Sequence, residues 1–310
     1  MQVLVTGGAG FIGSHLVRRL TAEGFQVTVL DNLSSGNLGN LSCFSEKVNF
    51  VEGDVRNPDV VEESANGAEA IVHLAALIDV AESIKKPRLY VDVNVSGTLN
   101  VLEAAKKAEV FVFASSAAVY GEPLSLPIEE LHPLAPLSPY GATKVAGEAL
   151  VQAYARIRGF RPVILRIFNV YGPKQSKAYA DVVLEFTKRV LKDEPPIIYG
   201  DGEQTRDFIY VDDVVECLVA AIKNRHACGV YNVGSGKAVS IGELARTVAE
   251  VLGKPNLKPV YAPARPGDVK HSVASISRLR ECLGYTPRFS LEQGLRKLSE
   301  YLLELAGKGL

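Results

Sequence analysis

The chain has 310 residues, of which 47% are hydrophobic and 22% charged, a composition typical of a globular protein with a large buried core. A formal net charge of −1 argues against nucleic acid as a partner, and no apolar run approaches the length that crosses a membrane. Cys43, Cys217, Cys228 and Cys282 lack the paired spacing of metal or disulfide motifs, so we expect reduced thiols, no metal site and a cytoplasmic location.

Short apolar runs alternate with helical patterns through the first half of the chain. We predict strands at residues 2–6, 26–30, 48–51, 70–74, 110–114 and 162–167, with helices at 11–23, 90–107 and 139–158 among the segments between them. The strand runs are continuously apolar, as happens where helices cover both faces of a sheet. Repeated units of this kind predict an α/β fold built on a doubly wound parallel sheet, the Rossmann arrangement.

The second half of the chain is less regular. After residue 168, prolines such as Pro173, Pro195 and Pro263 divide it into shorter elements. We therefore predict a dinucleotide-binding Rossmann domain over residues 1–170 and a smaller C-terminal α/β domain, mainly for substrate binding, over residues 171–310. Some elements of the second domain are expected to return to the large sheet.

The first predicted strand runs into a glycine-rich turn at the start of a helix. Gly7 permits a tight turn, Gly10 lets the backbone approach a pyrophosphate, and Gly13 allows the helix to pack closely on the strand. Phe11 and Ile12 lie at the helix N-terminus, whose amide groups and dipole favour an anion. The segment therefore predicts a dinucleotide site.

Asp31 ends the second predicted strand, where a carboxylate can bind the 2′-hydroxyl of an adenosine ribose. Because a 2′-phosphate would be repelled there, we predict NAD rather than NADP as the cofactor. The neighbouring turn and the ends of the third and fourth strands supply further candidate contacts at Asn32, Ser34, Ser35, Gly36, Asp54, Val55, Leu74, Ala75 and Ala76. Asn94, in the next helix, is a further cofactor candidate, with a helix-bending or loop-bracing role as the alternative.

Residues 138–144 place a phenol and an ammonium on one helix face. Ser138 is a good N-cap and Pro139 a good first helical residue, so a helix should begin here. Tyr140 and Lys144 are then one turn apart, and a nearby cation lowers the pKa of a tyrosine and makes it a usable base. Spacing alone leaves open a half-buried aromatic beside an extended lysine.

Taken in order, these and later segments resemble the extended short-chain dehydrogenase/reductase family, and within it the UDP-glucose 4-epimerases (UDP-galactose 4-epimerases). The resemblance covers nearly the whole chain. Its carriers are TGGAGFIGSHL at 6–16, DNLSSG at 31–36, HLAA at 73–76, NVSGT at 94–98, SSAAVYGEP at 115–123, SPYGATK at 138–144, RIFNVYGP at 166–173 and TRDFIYVDD at 205–213.

The resemblance implies a catalytic group of Ser116, Tyr140 and Lys144. Tyr140 would take the proton from a sugar 4-hydroxyl as hydride passes to the nicotinamide, and Ser116 would hydrogen-bond the sugar oxygen. Lys144 would lower the Tyr140 pKa and hold the nicotinamide ribose, with Phe168 near the nicotinamide. Hydride would return to the opposite face of a 4-keto sugar, so that C4 is inverted and NAD is regenerated.

The resemblance also implies a set of substrate contacts. These are Ser116, Tyr140, Asn169, Val183, Tyr199, Arg206, Arg265 and Ser272. Arg206 and Arg265 match positions that clamp a diphosphate, which suits paired guanidinium donors, and a surface ion pair is the alternative for each. A homodimer formed through the exposed faces of helices 90–107 and 139–158 is implied as well.

Two positions depart from related enzymes. Related 4,6-dehydratases carry Asp-Glu after the catalytic hydroxyl residue, whereas this chain has Ala117 and Ala118, which cannot transfer the protons that elimination of water needs. Ser272 aligns with a gate that is bulky in strict glucose/galactose epimerases, so N-acetylhexosamines should also fit.

The sequence thus predicts an NAD-dependent isomerase of galactose and carbohydrate metabolism that interconverts UDP-glucose and UDP-galactose. One alternative is another enzyme of the same family, such as a decarboxylase, a dehydratase or an epimerase for a different nucleotide sugar. The other is a non-enzymatic NAD-binding regulator, against which the retained Tyr140 and Lys144 argue.

Overall fold

The structure, a computed structural model, describes residues 1–175, 181–264 and 269–307. Its strands are β1 (Gln2–Thr6), β2 (Gln26–Asp31), β3 (Val48–Glu52), β4 (Ala70–His73), β5 (Val110–Ser116), β6 (Arg161–Ile167), β7 (Asn169–Tyr171), β8 (Ile197–Tyr199), β9 (Thr205–Arg206), β10 (Phe208–Tyr210), β11 (Gly229–Val233), β12 (Val239–Ser240) and β13 (Val260–Ala262). Its α-helices are α1 (Phe11–Ala22), α2 (Pro58–Ala65), α3 (Val80–Lys85), α4 (Pro87–Val91), α5 (Gly97–Ala104), α6 (Pro139–Arg158), α7 (Val182–Leu191), α8 (Val211–Lys223), α9 (Ile241–Val251) and α10 (Leu291–Gly307).

Seven of these strands form one parallel sheet, in the order β11-β6-β5-β4-β1-β2-β3. The chain builds outward from β1 in one direction and then, from β4, in the other, which is the doubly wound order of dinucleotide-binding sheets. This arrangement confirms the predicted fold class. All six predicted strands are present, with ends within two residues of the predicted ones.

Helices cover both faces of the sheet because the strands bury side chains on both. Leu4, Ile71 and Phe111 point to one face and pack with residues of α2, α5 and α6. Val5 and Val72 point to the other face and pack with residues of α1 and α8. All five side chains are fully buried, which explains why the strand sequences are continuously apolar.

The second half of the chain adds short strand pairs and one strand of the large sheet. β7 pairs with β10 and β8 with β13 in parallel, and β9 pairs with β12 in antiparallel fashion. β11 lies beside β6 at the edge of the large sheet, so an element beyond residue 170 does return to that sheet. The division into domains at residue 170 remains a prediction.

The helix predicted over residues 90–107 is present but irregular, since helical structure runs without a gap from Pro87 to Ala104 and includes a wider turn. α4 ends at Val91, a π-helical turn covers Asp92–Ser96, and α5 ends at Ala104. The wide turn carries Asn94, whose side chain is directed at the backbone of Leu77. Regular helical spacing is interrupted there, as is common for π-helical turns near functional sites.

None of the helices in the described ranges is long and apolar enough to span a membrane. In the same part of the chain, no three His, Cys, Asp or Glu side chains are grouped so that they could hold a metal ion. Cys43, Cys217, Cys228 and Cys282 are free thiols, and Cys217 is the buried one.

Candidate active site

The glycine-rich turn after β1 forms a close cradle in front of α1. Gly7 adopts a left-handed backbone with φ 72°, and its amide donates to the Leu30 carbonyl at 2.8 Å. A Cβ at Gly13 would lie 2.1 Å from the Gly7 carbonyl oxygen, so only glycine fits. Gly10 begins α1 without a side-chain cap, which leaves the helix amides available to an anion. These features fit the pyrophosphate of a dinucleotide.

Asp31 connects this turn to the loop that follows β2. Its carboxylate accepts hydrogen bonds from the Ala9 amide at 2.9 Å and the Leu33 amide at 2.8 Å. Burial raises the Asp31 pKa, and these backbone donors act in the opposite direction. Gly36 faces the carboxylate, since a Cβ there would lie 2.9 Å from Oδ1. Asp31 therefore lies beside the glycine turn, as a ribose contact requires.

Several other predicted cofactor residues already have partners in the protein. Arg56 donates to both Asp54 oxygens, at 2.9 and 2.8 Å, and Asn32 donates to one of them. Arg56 holds the Asp54 pKa well below its usual range. The Val55 side chain is buried against Gly97, and its carbonyl accepts from the Asn100 side-chain amide at 2.9 Å, so a contact with adenine would have to use the Val55 backbone amide. The exposed residues Ser34 and Ser35 and the half-buried residues Phe11 and Ile12 complete this group.

The chain after β4 crosses over the glycine turn. The Leu74 amide donates to the Thr6 carbonyl at 3.1 Å, and the Ala75 amide donates to the Thr6 hydroxyl at 3.2 Å. A Cβ at Gly7 would lie 2.8 Å from the Ala75 nitrogen. Leu74, Ala75 and Ala76 are half-buried, so this segment forms a wall of the cradle.

Asn94 braces the loop that continues from this wall. Its side chain accepts from the Leu77 amide at 2.8 Å and donates to the Leu77 carbonyl at 2.9 Å. It also donates to the Thr143 hydroxyl at 3.0 Å, which in turn donates to the Tyr140 carbonyl at 2.7 Å. Asn94 thus has the bracing role that the sequence left open, and direct contact with the cofactor stays a prediction.

Ser116, Tyr140 and Lys144 meet where β5 ends against the first turns of α6. The Ser138 hydroxyl accepts a backbone hydrogen bond and so caps α6 at its start. Ser116 hydrogen-bonds the Tyr140 phenol, and Lys144 Nζ donates to the Ala114 carbonyl at 2.8 Å. The three predicted catalytic residues therefore lie together at the carboxyl edge of the sheet, where such folds bind ligands.

Burial is the main influence on the pKa values of the residues in this cluster. It raises the pKa of Tyr140, with the Ser116 hydrogen bond as the opposing influence, and it lowers the pKa of Lys144 to about 8. The expectation that Lys144 lowers the Tyr140 pKa stays a prediction, because burial sets the net direction in the protein by itself. The Lys144 ammonium is directed at the Ala114 carbonyl, and burial disfavours the charged form of the side chain.

The predicted substrate residues near β7 differ in accessibility. Phe168 is buried, and the half-buried Asn169 amide donates to the Asp207 carbonyl at 3.1 Å. Val183 is fully buried in α7, so its side chain belongs to the core and its part in substrate binding remains a prediction. Asp207 itself accepts from the Ser235 hydroxyl and amide, a connection that the sequence did not indicate.

The other predicted substrate residues lie on β8, on β9 and near residue 272. Tyr199, at the end of β8, is 37% exposed. Arg206 Nη1 and the Ser272 amide both donate to the Thr205 carbonyl, at 2.9 and 3.1 Å, which brings those two residues together. Arg265 lies outside the described residues.

A buried polar network behind the catalytic cluster is absent from the sequence-based predictions. Arg166 donates to both oxygens of Glu148, at 2.9 and 2.7 Å, and Ser115 donates to one of them. Arg166 also donates to Tyr120, whose hydroxyl donates to Asn232 at 2.6 Å. The available signal was an arginine inside an otherwise apolar strand, because a buried charge needs a partner.

Comparison with known proteins identifies close relatives over the full length of the chain. The sequence profile of the NAD dependent epimerase/dehydratase family matches residues 3–234. The chain is 40% identical to a UDP-glucose 4-epimerase of Mycolicibacterium smegmatis over 308 residues, 97% of this chain and 98% of the relative. It is 36% identical to UDP-glucuronic acid decarboxylase 1 of Arabidopsis thaliana over 321 residues, 100% of this chain and 73% of the relative.

Three solved structures match nearly all of the chain. UDP-glucose 4-epimerase of Thermotoga maritima with UDP-glucose has a TM-score of 0.93 at 38% identity, covering 99% of this chain and 100% of that one. UDP-N-acetylglucosamine 4-epimerase of Methanobrevibacter ruminantium, in complex with UDP-N-acetylmuramic acid, has a TM-score of 0.93 at 36% identity, covering 98% of each. UDP-glucuronic acid 4-epimerase of Bacillus cereus, in complex with UDP-glucuronic acid and NAD, has a TM-score of 0.91 at 34% identity, covering 98% and 100%.

Proposed function

Because the chain belongs to the NAD-dependent epimerase/dehydratase family, we propose that it is an isomerase that inverts C4 of a UDP-hexose, with UDP-glucose and UDP-galactose as its main pair. The observation that carries the proposal is the cluster of Ser116, Tyr140 and Lys144 beside the glycine turn. A phenol, a hydroxyl and an ammonium are the groups that proton transfer at a sugar hydroxyl requires next to a nicotinamide.

Each residue of the cluster has a task at C4. NAD supplies the hydride acceptor and donor. Tyr140, as phenolate, takes the proton from the sugar 4-hydroxyl, while the Ser116 hydroxyl hydrogen-bonds the same oxygen and the Lys144 ammonium holds the nicotinamide ribose. After the sugar has turned its other face, the hydride would return to C4 on that face and Tyr140 would return the proton to the C4 oxygen, so C4 is inverted with no net oxidation.

Two alanines favour epimerisation over elimination of water. Ala117 and Ala118 follow Ser116 in the short helix Ala117–Val119, at positions where related dehydratases have an acid and a base. Methyl groups transfer no protons. Because one relative is a UDP-glucuronic acid decarboxylase, decarboxylation of UDP-glucuronic acid is the second activity to be tested.

The size of Ser272 supports a wider range of sugars. The Ser272 amide and Arg206 Nη1 donate to the same Thr205 carbonyl, so a residue with a small side chain neighbours the arginine that we propose binds the substrate diphosphate. We therefore propose that N-acetylhexosamines are also accepted. If UDP-N-acetylglucosamine neither binds nor is converted, this part of the proposal fails.

The proposed assembly is a cytoplasmic homodimer formed through α3, α4 and α6. Ile84, Val91 and Ile157 are 63%, 46% and 71% exposed on these helices, and α6 packs against both others. Exposed apolar side chains on adjoining helices favour a protein partner. Ile157→Glu should convert the dimer to a monomer in sedimentation experiments, whereas an unchanged mass would contradict this interface.

The deciding assay supplies UDP-galactose to the purified protein without added NAD and measures the UDP-glucose formed. Parallel reactions use UDP-N-acetylglucosamine and UDP-glucuronic acid, with products separated and weighed by mass spectrometry. Epimerisation leaves the mass unchanged, whereas decarboxylation removes CO₂. Failure to invert C4 of any hexose would contradict the proposal, and bound NAD without any turnover would identify a regulator instead.

A further inference from the structure

Lys144 is an ammonium with few polar neighbours. It is 5% exposed, and its Nζ lies 2.8 Å from the Ala114 carbonyl oxygen and 5.1 Å from the centre of the Phe113 ring. Such burial favours the neutral amine, which is why the Lys144 pKa falls to about 8. A lysine that has to bind a ribose as a cation therefore needs support from a nearby anion.

Glu148 supplies that support. It follows Lys144 by one turn of α6, is 2% exposed, and its negative charge raises the Lys144 pKa. His73, on β4, also interacts with the Lys144 charge, but its pKa of about 3 leaves it neutral. Tyr140, one turn earlier on α6, has a raised pKa and is neutral as well. Among the residues that the structure describes, Glu148 is the anion that favours charged Lys144.

Side chains from two neighbouring strands fix Glu148 in place. Ser115 on β5 and Arg166 on β6 are register partners, and both donate to the Glu148 carboxylate. Arg166 is itself fixed by the Tyr120 hydroxyl at 3.0 Å and the Glu130 carbonyl at 2.9 Å. Because well-packed apolar side chains often stabilise a core as much as a buried ion pair does, stability alone does not require charges here.

We infer that Glu148, fixed by Ser115 and Arg166, is a positioning residue that keeps Lys144 charged for binding of the nicotinamide ribose. The inference deepens the proposed function and rests on it for its kinetic readout. NAD binding by the protein supplies a second readout that does not depend on the sugar.

Two variants separate this role from simple support of the fold. Glu148→Gln removes the negative charge and leaves Arg166 without its counter-ion, whereas the double variant Glu148→Met/Arg166→Met removes the whole pair. The alkaline limb of the activity profile, and the pH at which NAD affinity falls, should move down by about one unit in the double variant. The shift should be larger in Glu148→Gln, because the Arg166 charge then opposes that of Lys144.

A matched control breaks a different buried carboxylate cluster. Asp213, on α8 at the opposite face of the sheet, accepts from the Tyr285 hydroxyl at 2.6 Å and from two backbone amides. Asp213→Asn should lower the Tm without moving either pH limb.

The outcomes distinguish the inference from the proposed function. If the variants lose stability but keep the wild-type pH dependence of NAD affinity, Glu148 only neutralises Arg166 and the inference is wrong. If NAD affinity shifts as expected but the wild type epimerises no hexose, the proposed function is wrong and the role of Glu148 stands. Should Glu148→Gln not fold, the double variant decides, since an apolar pair of similar volume is expected to fold.

Discussion

Tyr140 and His73 illustrate how burial sets the protonation of individual residues near the site. Burial raises the pKa of the Tyr140 phenol and lowers the pKa of the His73 imidazole to about 3, because both groups are neutral in the form that burial favours. A neutral phenol cannot accept a proton. Tyr140 must therefore lose its own proton before it can act as a base, and the Ser116 hydrogen bond favours that loss.

Tyr140→Phe tests the base directly, because it removes the phenol and keeps the ring. We expect kcat to fall by about 10²- to 10⁴-fold, with NAD content unchanged when the cofactor is released by denaturation and quantified. Tyr154→Phe is the control: this residue lies on α6 like Tyr140, but its phenol donates to Glu103 of α5 at 3.3 Å, and loss of the phenol should leave kcat near the wild-type value. Near-normal turnover in Tyr140→Phe would mean that another group is the base.

His73 should make the free energy of unfolding depend on pH. The unfolded chain binds a proton near the ordinary His pKa of 6.5, whereas folded His73 does so only near 3. Between these values the unfolded state binds more protons, so stability falls as the pH falls. Between pH 7 and 5 the wild type should lose about 2 kcal/mol more of its free energy of unfolding than His73→Gln does. Urea unfolding at the two pH values measures this difference. Parallel stability curves would contradict this assignment.

At the scale of elements, the strands could be predicted from the sequence, whereas the irregular turn within the helix at residues 90–107 could not. Residues 3–5 and 70–72 are continuously apolar, and a sheet covered on both faces requires that pattern locally. The π-helical turn at Asp92–Ser96 depends instead on Asn94 and Leu77, which are 17 residues apart. Arg166 likewise reaches Glu148 over 18 residues and Tyr120 over 46, and apolar spacing does not specify such partners.

Gly147 sets how closely α6 approaches β5. A Cβ there would lie 2.5 Å from Phe113 Cζ, and the Phe113 ring also faces the Lys144 ammonium. Gly147→Ala should push the helix outward, lower stability by about 1–3 kcal/mol and reduce kcat. Adding Phe113→Leu should restore much of the loss, as measured by thermal unfolding and turnover.

The control for this experiment is Gly242→Ala. The nearest atom to a Cβ at Gly242 is 3.4 Å away, so little change is expected. If Phe113→Leu deepens the defect of Gly147→Ala instead of relieving it, close packing of α6 on β5 is not the cause.

For the molecule as a whole, the sheet edge that holds the candidate site could be predicted from the fold class. The substrate-side residues from the second half of the chain could not. Gly7, Asp31 and Ser116 are at or just beyond the carboxyl ends of three parallel strands, so the sheet brings them to one edge. The burial of Val183 and the bond from Asn169 to Asp207 depend on the irregular second half, where no periodic pattern indicates which segments meet.

Lys174 connects the two sides of the cofactor cradle. Its Nζ donates to the Asn40 carbonyl at 2.8 Å, and the Asn40 amide donates to the Ala9 carbonyl at 2.9 Å. Since a hydrogen bond from a charged group contributes about 1.5–3 kcal/mol, Lys174→Ala should speed loss of NAD by about 10-fold or more. The NAD that remains after gel filtration measures this.

Lys188→Ala is the matched control for that measurement, because Lys188 forms an ion pair with Glu185 at 3.5 Å within α7. It should retain NAD as the wild type does. Equal retention in the Lys174 and Lys188 variants would show that the connection through Asn40 does not hold the cofactor.

The hydrogen bond from Tyr120 to Asn232 joins residues 112 positions apart. The glycine turn, Asp31 and the catalytic cluster all precede Asn232 in the order of synthesis, and Asn232 arrives with β11, the last strand to join the sheet. Stalled nascent chains of increasing length, assayed for bound NAD and for turnover, would reveal the order of maturation. A newly made chain should acquire its cofactor first and become an active catalyst only when synthesis has passed β11.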